Sequence, residues 1–174
     1  MLKEVDIFDV YHETIDKLTG EGILLVAGDP PNPMTIGWAT FGHIWHKQIM
    51  TVLVRPTRYT YGIMENVRDF SICVLHDDDV KALSLCGTKS GRDTDKIKTC
   101  DFRVEKCSKA QAWFIAGSEI HFECRIVHKH KIDPDTLDPP IIDRYYPQRD
   151  FHMVYYGEIL GVYLHTNADN ASNV

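Results

Sequence analysis

No run in this 174-residue chain approaches the ~18 consecutive apolar residues of a membrane helix, so a helical span is not expected. The opening MLKEVDIFD is acidic and lacks the apolar block of a secretory signal. Cysteine is sparse: five residues, at positions 73, 86, 100, 107 and 124, with no CxxC pair. An odd number without pairing argues against a disulfide framework, and the five read as reduced thiols of a cytoplasmic protein. Positive charge is also lacking, since the net charge is −6 and the lysines and arginines are scattered. A nucleic-acid surface, which needs a basic face, is therefore not predicted. No GxGxxG follows a strand, which leaves a Rossmann dinucleotide site without support. No repeat or linker divides the chain, so residues 1–174 read as one domain, and 44% hydrophobic content is ample for its core. The polar tail TNADNASNV is expected to fray.

What is present is a series of short apolar runs separated by turn signals. Residues 22–26 (GILLV), 34–41, 48–54, 70–75 (FSICVL) and 151–164 (FHMVYYGEILGVYL) have strand length and strand composition, and GDPPNP marks a turn after the first. In 118–131, Ile120, Phe122, Cys124 and Ile126 alternate with His121, Glu123 and Arg125. Shorter strands are expected at 101–105 and 112–116. Tyr61, Met64 and Val67 at helical spacing predict a helix over 58–67. The acidic run Asp77–Asp79 predicts a solvated helix start ahead of 80–85. Residues 1–19 read as a lead-in with a short strand or helical turn, 87–98 as a charged loop with a short helix after Thr94, and 133–150 as a proline-rich connection. Six to eight strands without regular helical crossovers predict a mainly β, antiparallel barrel with a few short peripheral helices.

The chemistry concentrates in residues 32–60, NPMTIGWATFGHIWHKQIMTVLVRPTRYT. Two strands joined by GHIWHK end at Pro56, which cannot donate to a ladder and suits a first helical turn, with Thr57 as the predicted N-cap. Arg55 and Arg58 then flank a helix start whose free N–H groups attract anions. Spacing alone leaves this pair open between solvated surface cations and a phosphate site. Trp38, beside the approachable backbone of Gly37, is likewise open between a core aromatic and a platform for a planar ring. A ring at one end and a phosphate at the other is the shape of flavin mononucleotide (FMN).

The runs NPMTIGWA, VLVRPTRYT, CGTKSGRDTDK and FHMVYYGEI, in that order, resemble the flavin reductase-like family, flavoredoxins included. The resemblance implies an FMN-binding, Greek-key-like split β-barrel. It implies that Asn32, Met34, Thr35, Ile36, Gly37 and Trp38 lie along the isoalloxazine. Arg55, Arg58 and Thr60 are then the implied phosphate ligands, with Val54 and Tyr59 beside them. Ser90, Gly91 and Lys96, in a loop with Arg92 and Asp95, would sit near the ring, as would His152. NAD(P)H is the implied co-substrate of a flavin reductase, in which the cofactor takes the hydride and no side chain need act as nucleophile. The alternative is a flavoredoxin-like carrier exchanging electrons with a protein partner; a more remote one is a split barrel holding another cofactor such as haem. The same resemblance implies a homodimer, with DRYYPQRDF reaching the partner's pocket, and an electron-transfer protein or a flavin-dependent monooxygenase as partner. His43 and His46, and His128 and His130, are ligand-like pairs without a third ligand at recognisable spacing, so no metal site is predicted. No local signature selects a cysteine as nucleophile.

Overall fold

The computed structural model describes residues 2–165; the tail 166–174 lies outside the described residues. The elements in chain order are β1 (Leu2–Glu4), α1 (Ile7–Thr19), β2 (Ile23–Ala27), β3 (Asn32–Ile36), β4 (Ala39–Ile44), β5 (Lys47–Val54), α2 (Tyr59–Met64) and β6 (Asp69–Val74). There follow α3 (Val80–Thr88), α4 (Lys96–Thr99), β7 (Val104–Lys106), β8 (Trp113–Ile115), β9 (Ile120–Lys131), α5 (Pro139–Tyr145) and β10 (Met153–His165). The main sheet has the order β3-β2-β6-β9-β10-β5-β4, antiparallel at every pairing, and β7 pairs with β8 apart from it. β1 pairs with the C-terminal end of β10, on the edge that β5 occupies further back.

Residues 34–41, expected as one strand, are two. β3 pairs with β2 at one edge of the sheet and β4 pairs with β5 at the other, so Gly37 and Trp38 carry the chain across the gap between the edges. That crossing is the split in the barrel. β3 is covered by β2 on one side and contacts α3 and α4, whereas β4 is mostly exposed; a single straight strand could not serve both surroundings. The β4–β5 turn is tighter than the six residues expected, because Trp45 and His46, each at φ 56°, make a two-residue hairpin loop.

Other expectations need correction at the helices. Thr57 is not the N-cap of α2. Arg58 N–H bonds Arg55 O at 3.0 Å, the turn runs one residue longer, and Arg58 itself occupies the cap with no side-chain bond. α2 also stops at Met64 instead of 67. The lead-in contains a full helix, α1, started by a capping box in which Asp6 accepts from Phe8 N–H and Asp9 reaches back to the Asp6 N–H. It buries Ile7, Val10, Thr14 and Leu18, spaced for one helical face.

The main core gathers around Tyr155, Phe70 and Phe122 inside the barrel; a smaller one, with Leu24, Val26, Leu83, Cys86 and Phe114, lies under α3 and the β7–β8 hairpin. The alternation in β9 is real, yet both of its faces are covered over Ile120–Cys124. Glu123, on the outer face, accepts from the backbone N–H groups of Ser108 (2.8 Å), Lys109 (2.5 Å) and Ala110 (3.0 Å) and pins the β7–β8 loop.

Candidate functional site

Two adjoining recesses open beside the crossing at Gly37–Trp38. The first, about 200 Å³, is lined by Met34 to Trp38, Leu53, Arg55, Arg58 and His152. The second, about 110 Å³, is lined by Met34, residues 57–60, residues 86–92 and Lys96. Met34 and Arg58 belong to both and form the divide. A larger groove of about 880 Å³ lies beyond the wall made by Asn32, Tyr59, Gly91, Arg92 and Lys96.

In the first recess the Trp38 ring is half-exposed at the bend, 5.1 Å from the His152 ring and 5.3 Å, edge-on, from Tyr145. His152 is buried, its Nδ1 2.8 Å from the Tyr146 hydroxyl. Burial, seconded by the guanidinium groups of Arg55 and Arg58 against the opposing Asp150, pushes the imidazole down to about 4, so it is neutral at pH 7. Arg55 is already committed: its Nη1 donates to Asp150 Oδ1 at 2.6 Å and its Nη2 to Tyr145 O at 2.7 Å. These bonds hold the connection after α5 against the recess.

The second recess is cationic. Arg58 has no carboxylate partner among the described residues, and Arg92 lies over the Tyr59 ring at 5.6 Å. Lys96 is buried and donates to Pro33 O and Cys86 O, both at 2.9 Å, with no carboxylate partner either. Burial lowers its pKa, as does Arg58 nearby, while the Cys86 and Cys100 thiols work against them. Thr60 is buried and accepts from Asn32 Nδ2 at 2.9 Å. Gly91 packs so close to this pair that a Cβ there would overlap the Asn32 side chain and the Tyr59 ring.

The fold therefore brings Met34, Thr35, Ile36, Gly37, Trp38, Arg55, Arg58 and His152 to one recess, and Arg58, Tyr59, Thr60, Ser90, Gly91 and Lys96 to the next. Asn32 stands in the wall behind them. Thr35 turns its hydroxyl to Leu83 O at 2.6 Å, so it bears on the recess through its backbone and remaining side chain. Val54 is set apart: it is buried in the main core and lines neither recess, because strand alternation points Leu53 and Arg55 outward and Val54 in. Leu53 is the lining residue that alternation would have named. Asp150 and Tyr146 were also missed; the aromatic connection that carries them contacts the site of its own chain.

Among the described residues no group of three His, Cys, Asp or Glu is placed to hold a metal ion, and the rings of His43 and His46 are 6.0 Å apart, those of His128 and His130 5.7 Å. No described helix is long and apolar enough to cross a membrane. A planar aromatic pocket joined to a small cationic one suits a ring carrying a single phosphate.

Comparison with known proteins places the chain. An uncharacterised protein of Archaeoglobus fulgidus is 25% identical over 115 residues, 66% of this chain, and the match spans 64% of that protein. The flavoredoxin of Methanosarcina acetivorans superposes with a TM-score of 0.64 at 23% identity, over 82% of this chain and 67% of that one. The FMN-binding domain of a flavin reductases-like enzyme from Shewanella baltica gives a TM-score of 0.65 at 17% identity, over 98% of this chain and 85% of that one. With the sequence pattern of the flavin reductase like domain matching residues 17–173, and the split barrel shared with these structures, the chain belongs to the flavin reductase-like family.

Proposed function

We propose that the chain binds FMN across the two recesses and acts as an NAD(P)H-dependent flavin reductase. The observation that carries this is the pairing of Arg58 and buried Lys96, both without an acidic partner among the described residues, beside the recess of Trp38 and His152. A buried lysine is rarely left without an acid, so Lys96, with the exposed Arg58 beside it, fits an anionic ligand. The small recess has room for one phosphate, which suits FMN.

Arg58 and Lys96 would hold the phosphate, with Ser90 and the backbone at Gly91 closing on it. Trp38 and the backbone of Met34 to Gly37 would flank the ring, and the connection tied down by Arg55 would keep water from one side of it. Bound FMN supplies the redox chemistry, accepting a hydride and passing electrons on. The neutral His152 adds a polar contact without adding charge to a recess that already holds two arginines.

We also read the chain as a homodimer: Ile44, Trp45 and Val127 leave apolar area exposed on the sheet that a second copy would cover, and sedimentation measures this directly. The acceptor of the electrons is read as an electron-transfer protein or a flavin-dependent monooxygenase. The test is an anaerobic titration of the FMN-loaded protein. Bleaching of the flavin absorbance by NADH or NADPH alone is the expected result. Reduction only through a partner protein would replace this reading with a flavoredoxin-like carrier, and a protein that takes up no flavin would end both.

A further inference from the structure

We infer that Tyr146 is a positioning residue: its phenol fixes the tautomer of His152, so that the imidazole presents an Nε2–H donor to the first recess and takes an acceptor atom on the planar ring of the ligand. The ligand half of this statement rests on the proposed function; the tautomer does not.

The argument is one of proton accounting. Tyr146 and His152 are both buried, and the phenol oxygen lies 2.8 Å from Nδ1. The phenol makes no other hydrogen bond among the described residues. A buried hydroxyl has one proton and a strong need to place it, and Nδ1 is the acceptor within reach. Nδ1 can accept only if it carries no proton. The groups facing the ring are Arg55, Arg58 and Asp150, and Asp150 is held by Arg55 at 2.6 Å, so no free carboxylate competes to make an imidazolium. A neutral imidazole with an unprotonated Nδ1 carries its hydrogen on Nε2. Nε2 makes no protein hydrogen bond among the described residues, and His152 lines the first recess beside Trp38.

Tyr146 is itself fixed. Its backbone N–H bonds Ile142 O at 2.8 Å at the end of α5. Its ring packs on Phe151 at 4.8 Å and lies beneath the Arg55 guanidinium at 5.1 Å. The phenol therefore has a single direction to point, and the short connection from α5 to β10 delivers both partners of the bond.

The experiment is nitrogen NMR of the ligand-free protein labelled at histidine, with the His152 signals identified by their loss in His152→Gln. A protonated Nε2 and a bare Nδ1 are expected in the wild type, and Tyr146→Phe should give a mixture of the two tautomers. An Nδ1–H tautomer in the wild type, or a tautomer unchanged in Tyr146→Phe, would overturn the inference; the wild-type spectrum decides even if that variant fails to fold. Adding FMN, with binding followed separately by flavin fluorescence, should move the Nε2 resonance. Flavin bound with Nε2 unmoved removes the ligand half and leaves the proposed function standing. No flavin bound removes the proposed function and the ligand half together.

Discussion

Arg55 and Arg58 carry equal charge three residues apart, and the fold assigns them different work. Arg55 is neutralised by Asp150 and bonded to the Tyr145 carbonyl, whereas Arg58 faces both recesses with no acid beside it among the described residues. A charge-assisted hydrogen bond contributes about 1.5–3 kcal/mol. Arg58→Ala is therefore expected to weaken FMN binding ten-fold or more, and Arg55→Ala to cost less affinity while loosening the connection it ties down. Fluorescence titration of both variants checks this; equal losses would contradict the division of labour. Glu123 shows the opposite situation, a buried anion fully supplied with donors. Burial alone would raise its pKa, but His121 and the N–H groups of Ser108, Lys109 and Ala110 outweigh it and hold the carboxyl at about 2, against 4.5 when free. A depressed carboxylate stabilises the fold above its unfolded pKa, and that stabilisation fades as pH falls from 4.5 towards 2. Glu123→Gln should cost roughly 3 kcal/mol at pH 7 and progressively less below pH 4.5, as read from urea denaturation at a series of pH values. A cost independent of pH would show that the carboxylate charge is not what pins the loop.

At the scale of elements, the loop between α3 and α4 is fitted to its neighbours through Gly91. A methyl group there would overlap Asn32 and Tyr59, the residues that separate the small recess from the large groove. Gly91→Ala should leave the circular dichroism spectrum of the fold in place, lower stability by about 1–3 kcal/mol, and reduce FMN affinity by moving Ser90 and Lys96 with the loop. Unchanged affinity would detach this loop from the site. Much of this arrangement was legible in the chain before any coordinates, since β2, β5, β6, β9 and β10 follow from apolar blocks and turn residues, and the recess residues gather from four separated runs. What was not legible depends on contacts distant in sequence. The Arg55–Asp150 bond joins residues 95 positions apart, and nothing local to either predicts it. The break at Gly37–Trp38 appears only once β3 and β4 are known to lie on opposite edges of one sheet. α1 could have been read from Ile7, Val10, Thr14 and Leu18, but its charged, aromatic remainder masks that stripe. Val54 and Leu53 differ by one strand position, which in a strand is a difference of face, so the side chain that lines the recess is the neighbour of the expected one.

For the molecule as a whole, the question is how much of ligand binding is anchored by phosphate. The net charge of −6 repels an anion at long range, so the attraction must come from Arg58 and Lys96 at short range. Binding to the folded state alone stabilises it by about 2.7 kcal/mol at a hundred times Kd. For a domain of this size that is a rise of roughly 5–10 °C in Tm. Riboflavin offers the same ring and no phosphate, so it isolates the first recess from the second. FMN should raise the melting temperature of the wild type well above what equimolar riboflavin achieves, with circular dichroism as the probe because flavin fluorescence interferes. In Lys96→Met the excess of the FMN shift over the riboflavin shift should shrink, since the buried ammonium that sits on the carbonyls of Pro33 and Cys86 is gone while Arg58 and the Trp38 recess are intact. Equal shifts by FMN and riboflavin in the wild type would show that the cationic recess holds no phosphate, and the unpaired charges of Arg58 and Lys96 would then need another ligand.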